Sequence, residues 1–385
     1  MTRQSPLRKL HQQAEASFRL HPPDAPEGDG EGVEVVDSYG DAEAEYASLH
    51  AGCILMDRPD RGVIRVAGAD RHDFLNRMLT QELKGFAPFQ VRRSFWLNRK
   101  GRIEADLRLI ALENAILFDL DTVCVDRTLR SLDGYIITED VQLADESDHS
   151  HRLSVHGPAS LALLQSVGEH VAGAPLSDLV DGAAALVRIA GCDVIVDRHD
   201  CSGSPGVELL MPAEHAAAVY QQLLEQGGAV NGNHNGVRPA GWSAFDVARL
   251  EASRPQCLFD FGHDDLPHET GVLKDRVSFT KGCFLGQEIV ARMQSLGRPK
   301  KTMVRLRFEG VSPSELPHRG DRITPASSPD DDPIGSITTA APSPQHGGAV
   351  LCFAQLRTDH ATPGAAVLLR RGELRREGVV LDQPG

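Results

Sequence analysis

The side chains best able to do chemistry cluster in one stretch, Lys281 to Arg292, which reads Lys-Gly-Cys-Phe-Leu-Gly-Gln-Glu-Ile-Val-Ala-Arg. Gly282 and Gly286 permit backbone angles closed to other residues and a close approach to a neighbouring surface. The spacing predicts a turn at Lys281-Gly282 and a helix opening near Gly286. Cys283 would then stand just ahead of a helix N-terminus with Lys281 beside it, and both dipole and cation favour the thiolate. Phe284 and Leu285 act the other way, because apolar burial raises a thiol pKa. Glu288 and Arg292 are placed to pair on one helix face. A buried turn cysteine without a chemical role is the plainer alternative.

Two carboxylates and a run of cations complete the candidates. Between Ile103 and Leu109, the residues Ile103, Ala105, Leu107 and Leu109 share one strand face, and Glu104, Asp106 and Arg108 share the other. Asp106 therefore points to solvent or into a polar cavity. A helix expected over Ala244–Arg254, capped by Ser243, carries Glu251 near its C-terminal end, where the dipole disfavours a carboxylate. Such a residue is either a surface charge or an acceptor facing a ligand. From Arg292 to Arg307 the chain has Arg292, Arg298, Lys300, Lys301, Arg305 and Arg307 without one acid. In an acidic chain that is a local positive patch, suited to an anionic tail or a partner.

Elements of mixed type must position these groups. Residues 1–20 suggest a short helix, 21–32 an acidic flexible linker, and folded structure is expected from about Val33. A helix at Asp41–Ala51, a strand from Cys53 and a strand over Arg61–Ala67 follow, then Gly68 and a helix carrying Phe74 and Leu75. Val66, Gly68 and Leu75 recur as Val155, Gly157 and Leu164, 89 positions on. A repeated strand–Gly–helix predicts two related α+β halves. Ser94–Asn98 and Ile103–Ile110 form a hairpin around Arg99-Lys100-Gly101. Strands near Ala185–Ile189, Val194–Asp197 and Val207–Met211 precede a helix from about Ala213 to Glu225, a stop at Gly227-Gly228 and a loop to Gly236. After Lys300, short strands separated by Pro, Gly and Asp predict a small β-barrel or sandwich, with Ser327–Pro333 as its most exposed loop. The expected division is a flexible segment 1–32, α+β domains over 33–150 and 151–300, and a barrel over 301–385.

The totals narrow the class. A chain of 385 residues with 41% hydrophobic content supports two or three packed domains. A net charge of −14 argues against direct nucleic-acid binding. The seven cysteines form no CxxC pair, so no metal centre is expected, and their scatter suits a reducing compartment, here the cytoplasm. The basic start at Arg3, Arg8 and Lys9 has no apolar run behind it, unlike a secretory signal. No stretch approaches the ~20 apolar residues of a membrane span.

The segment Lys281–Glu288 closely resembles the Lys-Gly-Cys-aromatic-x-Gly-Gln-Glu signature of the YgfZ branch of the glycine-cleavage T-protein (aminomethyltransferase) superfamily. The likeness extends over about 40–380. It includes Val-Ala-Gly-Ala-Asp at 66–70, Ser-Val-His-Gly-Pro at 154–158, Ala-Arg-Leu-Glu-Ala at 248–252 and Ala-Gln-Leu-Arg at 354–357. The resemblance implies an α+β fold of three domains in a ring around a central cavity holding tetrahydrofolate. It implies Glu251 as the acceptor for the pterin, Asp106, Lys281, Gln287 and Arg292 as further folate contacts, and Cys283 as the reactive group. The implied role is a monomeric, folate-dependent factor in iron–sulfur cluster assembly or repair, with client enzymes that include tRNA-modifying ones. Two departures separate it from the methyltransferases. Ala105 stands where they carry the first of two aspartates, and Cys201-Ser202-Gly203-Ser204-Pro205-Gly206 replaces their Tyr-Thr-Gly-Glu-x-Gly. A folate-dependent aminomethyl transferase is the alternative function, and an interaction protein without folate is a third.

Overall fold

A computed structural model describes residues 4–24, 32–229, 236–328 and 331–384. They divide into two compact units. The first comprises 1–78, 83–94 and 106–245, the second 79–82, 95–105 and 246–385.

The first unit is built on a seven-stranded sheet. Its strand order is Glu169–Gly173, Ala184–Ile189, Cys192–Arg198, Gly206–Pro212, Ser150–His156, Cys53–Asp57 and Val237–Pro239. All neighbours are antiparallel except the last pair. A five-stranded sheet runs Val91–Leu97, Ile103–Ala111, Ile116–Asp121, Arg61–Ala67, Gln142–Asp145, and the ends of its first two strands belong to the second unit. One face of the seven-stranded sheet buries Leu153, Val155, Val194, Val196, Val207 and Leu209 under the helices Ser160–Val167 and Ala216–Ala229. The other face meets the five-stranded sheet through Val63, Ile110, Leu117, Ala184 and Leu210. Both faces are therefore covered, and the strand alternation does not separate core from solvent.

The strand–Gly–helix repeat is present in both halves. Gly68 has φ +102° and Gly157 φ +132°. A Cβ at Gly68 would lie 2.0 Å from the Asp140 carbonyl oxygen, and one at Gly157 would lie 2.4 Å from that of Gly52. Both positions thus require glycine by angle and by space.

In the N-terminal region the short helix expected within 1–20 is present, and a strand follows it. Arg8–Gln13 is a helix, and Ser17–His21 pairs antiparallel with Val33–Ser38. Leu7 is fully buried in the main core. His11 donates or accepts through Nε2 with Asp57 Oδ2 at 2.8 Å, His151 Nε2 reaches Asp57 Oδ1 at 2.6 Å, and Tyr39 joins His11 to Tyr220 at 2.8 and 3.2 Å. His21 Nε2 lies 2.5 Å from Asp121 and its ring stacks on Trp242. The Pro/Gly/Asp-rich composition that begins at His21 masked its fixed position, and the acidic stretch 25–31 lies outside the described residues. The helix Ala216–Ala229 also continues through Gly227-Gly228, where the glycines predicted a stop. Most of the loop expected after it lies outside the described residues, as does part of Ser327–Pro333.

The second unit contains a closed six-stranded barrel. Its order is Lys301–Phe308, Val350–Arg357, Gly335–Pro342, Arg322–Pro325, Ala366–Arg371 and Leu374–Asp382, closed by pairing of the last strand with the first. Val304, Leu306, Ile323, Ile337, Cys352 and Leu369 fill it. Sequence reading gives strands at Met303–Phe308, Gly335–Thr339, Ala349–Leu356 and Ala365–Leu369 and misses Arg322–Pro325, which is short, and Leu374–Asp382, whose first half is mostly charged. A separate core joins Phe95, Leu97, Ile103, Leu250, Phe261, Phe284, Val290 and Phe353.

Candidate functional site

The Lys-Gly-Cys stretch forms a loop leading into the helix Gln287–Leu296. Gly286 is the residue before it, in the left-handed region at φ +79°. A Cβ there would lie 2.7 Å from the Asn98 carbonyl oxygen, so the hairpin turn at Gly101 and the helix start fit only around a glycine. Gly282 has neither constraint, since a Cβ would meet nothing within 4 Å.

Cys283 is exposed at this loop, ahead of the helix rather than on it. Lys281 is the cation expected beside the thiol. It is buried, and its Nζ donates to the carbonyls of Leu79 at 2.7 Å and Gln81 at 2.9 Å, over the ring of Phe284. Burial lowers its pKa from the usual lysine value to about 8. Lys281 is a staple between loops of one unit. Gln287 opens the helix and is half-buried, while Arg292 is exposed. Glu288 is exposed as well, and among the described residues the anticipated Glu288–Arg292 pair is not formed.

The helix bearing Glu251 spans Trp242–Glu251, so Ser243 lies in its first turn and donates to Asp37 instead of capping it. Arg249 is fully buried and is bonded to Asp246 at 2.6 Å, Asp260 at 2.5 Å and Thr339 at 2.9 Å. The Glu251 carboxylate accepts from Ser343 Oγ at 2.5 Å and the Gln345 amide at 3.3 Å, which ties this helix end to a barrel turn. The basic run is also largely paired: Arg305 bonds Asp382, Arg307 bonds Glu309, and Lys301 lies 2.5 Å from Asp265. A free positive patch is therefore limited to its first members.

Sequence reasoning missed a buried charge cluster in the first unit. Arg108 and Asp119 project from the five-stranded sheet, and Arg152, Asp197 and Glu208 project from the seven-stranded one. All are at most 5% exposed. Arg108 lies 2.6 Å from Asp119, 3.3 Å from Asp197 and 3.7 Å from Glu208. Arg152 lies 3.3 Å from Asp119, 3.6 Å from Asp197 and 4.0 Å from Glu208. Arg61 donates to Asp119, and Arg58, itself paired with Asp60, stands 3.9 Å from Glu208 and over Trp242. Asp106 is half-buried on this strand and shares the face of Arg108, two residues on. Of the face expected to meet solvent or a polar cavity, Arg108 enters the cluster, and both Glu104 and Arg108 are buried.

Electrostatics divide the acids. Although burial opposes it, Arg108, His199 and Arg58 hold Glu208 well below the usual carboxylate range. Burial, with repulsion from Glu208 and Asp119, raises Asp197 to about 6 against the pull of Arg108 and Arg152. Among the described residues, both oxygens of Asp197, Oε2 of Glu208 and all three guanidinium nitrogens of Arg152 lack a hydrogen-bond partner. Each such buried group costs about 1–3 kcal/mol unless something polar satisfies it. Several converging in one place fit water or a polar ligand with both donors and acceptors. His156, Cys201 and Glu208 also bring N, S and O atoms within 4.8 Å of one another. Glu208 lies in the field of Arg58 and Arg108, and burial holds the Cys201 thiol up at about 12.

The fold is T-protein-like. The structure superposes on the glycine cleavage system aminomethyltransferase T from Bartonella henselae with a TM-score of 0.83, at 21% identity, covering 100% of this chain and 98% of that one. The GCVT N-terminal domain model matches residues 24–281, and the chain belongs to that family. Among curated relatives, the aminomethyltransferase of Caldanaerobacter subterraneus is 28% identical over 303 residues, covering 78% of this chain and 76% of that protein. The one from Streptomyces coelicolor is 28% identical over 334 residues, 85% of this chain and 84% of that protein. No helix among the described residues is long and apolar enough to cross a membrane.

Proposed function

We propose that this chain binds tetrahydrofolate through the buried charge cluster and uses it in one-carbon chemistry. The carrying observation is Glu208, held ionised with one oxygen free of hydrogen bonds, beside the Arg152 guanidinium, whose nitrogens make ion pairs at 3.3 to 4.0 Å but no hydrogen bond. A reduced pterin offers a donor edge, its amino group and ring N–H, next to a carbonyl acceptor. An ionised carboxylate accepts from the first and a guanidinium donates to the second. In this reading Glu208 takes the pterin role that the family resemblance suggested for Glu251, whose carboxylate is engaged by Ser343 and Gln345. Asp106, on the same face as Arg108, is the acid placed to manage a proton near the bound ligand. Bound tetrahydrofolate would supply a nitrogen able to carry a one-carbon unit.

The relatives' names support aminomethyl transfer as that chemistry. A second reading, the YgfZ-like role in assembling or repairing iron–sulfur clusters of client enzymes, including tRNA-modifying ones, is favoured by one feature. Cys283 is exposed within the Lys-Gly-Cys signature, open to a sulfur- or iron-bearing partner. Titration calorimetry with 5-formyltetrahydrofolate tests the shared part. Binding by wild type, weakened roughly ten- to a hundredfold by Glu208→Gln, is expected from the loss of a charged acceptor. Equal affinity would remove Glu208 from the site. Turnover in a reconstituted glycine-cleavage assay would establish aminomethyl transfer. Its absence, with cluster-enzyme activity in a deletion strain restored by wild type and not by Cys283→Ala, would establish the second reading.

A further inference from the structure

Two buried carboxylates face each other across adjacent strands. Asp197 and Glu208 are direct cross-strand partners, and both are at most 2% exposed. Like charges in that relation repel, and burial strengthens the repulsion. Two arginines stand between them, yet neither resolves the conflict. Arg108 and Arg152 each reach both acids, at 3.3 to 4.0 Å, without hydrogen-bonding either Asp197 oxygen. Asp119 competes for the same two arginines, at 2.6 and 3.3 Å. Three acids thus share two bridging cations, with Arg58, Arg61 and His199 turned to Glu208 or Asp119. Among the described residues, Asp197 is the one of the three with no further cation turned to it and no hydrogen bond on either oxygen.

We propose that Asp197 is the proton-exchanging group of this site: it takes up one proton from solvent when a reduced folate binds. This rests on the folate reading above. A ligand seated on Glu208 and Arg152 excludes water and draws Arg152 toward its own acceptor. Asp197 then loses solvation and half of its counter-charge, and both losses favour the neutral acid. The neutral acid gains a hydroxyl with which to donate to the ligand or to Glu208, so an orphaned group becomes a satisfied one. Glu208, nearer to Arg58 and His199, stays ionised. Paired acids whose surroundings drive their pKa values apart commonly divide in this way into a fixed anion and a proton carrier. Asp197 acts on the ligand's charge balance, and Asp106 remains the candidate acid for any chemical step.

The test measures protons together with affinity. Wild-type protein and Asp197→Asn are titrated with 5-formyltetrahydrofolate between pH 6 and 8, in buffers of different ionisation enthalpy. Wild type should take up close to one proton near pH 7, and its affinity should weaken by up to about tenfold per pH unit above pH 6. Asp197→Asn mimics the neutral acid, so it should bind at pH 8 at least as tightly as wild type, with no proton uptake and a flat pH profile. A merely structural Asp197 would leave the proton count unchanged in the variant. Binding by wild type without proton uptake overturns the proposal and leaves the folate reading standing, as does proton uptake that survives in Asp197→Asn. Failure of wild type to bind at any pH overturns both.

Discussion

The two glycines of the Lys-Gly-Cys signature look alike in sequence and differ sharply in place, which permits a paired test. At Gly286, φ +79° costs a residue with a Cβ about 1–2 kcal/mol. The new methyl would also stand 2.7 Å from the Asn98 carbonyl oxygen, which accepts from Gly101 N at 2.9 Å and has little freedom to retreat. Overpacking of this kind adds about 1–3 kcal/mol. Reduced freedom of the unfolded chain returns about 0.4–1 kcal/mol. Gly286→Ala should therefore destabilise the second unit by about 1–5 kcal/mol. Gly282→Ala meets no atom within 4 Å and should be neutral or slightly stabilising. The two tryptophans make the assay local, since Trp96 is buried in the second unit and Trp242 in the first. In a Trp242→Phe background, urea unfolding followed by Trp96 fluorescence should show a midpoint lower for Gly286→Ala than for Gly282→Ala, by about 0.5 M or more. Similar midpoints for the two alanine variants would refute the argument that Gly286 is held by angle and by contact.

Lys281 yields a pH prediction. Its folded pKa of about 8 lies below the unfolded 10.5, so between those values the unfolded chain binds more protons and stability rises with pH. The stability of wild type relative to Lys281→Met should climb from pH 8 to pH 10 in urea titrations; a flat difference would mean that the ammonium is not desolvated. Cys283 is exposed while Cys53, Cys124, Cys192 and Cys352 are buried, so iodoacetamide at neutral pH should modify Cys283 first by mass spectrometry. Labelling of Cys201 ahead of it would contradict the burial that holds that thiol near 12.

Much of the fold could be read from the chain because local signals agreed with it. Gly68 and Gly157 marked two equivalent strand–helix corners, and the Pro/Gly punctuation after Lys300 marked the barrel. The turn and helix around Gly286 followed from the same logic. The charge cluster was hidden for a specific reason. Arg108, Asp119, Asp197 and Glu208 each sit two residues from an apolar partner on the same inner face, namely Ile110, Leu117, Ile195 and Leu210. A face that is part apolar and part charged reads as a solvated one, and only the register of five strands brings these side chains together. The basic run misled in the opposite sense. Its counter-charges Asp265 and Asp382 lie far off in sequence, so an acid-free stretch looked like an acid-free surface. Glu251 was placed correctly at a helix end, but its partners Ser343 and Gln345 belong to a turn that no local pattern ties to it.

The buried histidines near the N-terminus bear on how the protein is made. His21 finds Asp121 across 100 residues, and Tyr39, which is bonded to His11, meets Tyr220 across 181. At about 5–20 residues per second, a ribosome delivers Tyr220 roughly ten to forty seconds after Tyr39 has left it. Asp57, Asp121 and Tyr220 arrive in turn within that interval, and until the last of them the first helix and strand lack part of what fixes them. The earliest residues synthesised are therefore among the last to settle, and the first unit closes only when the helix bearing Tyr220 has emerged.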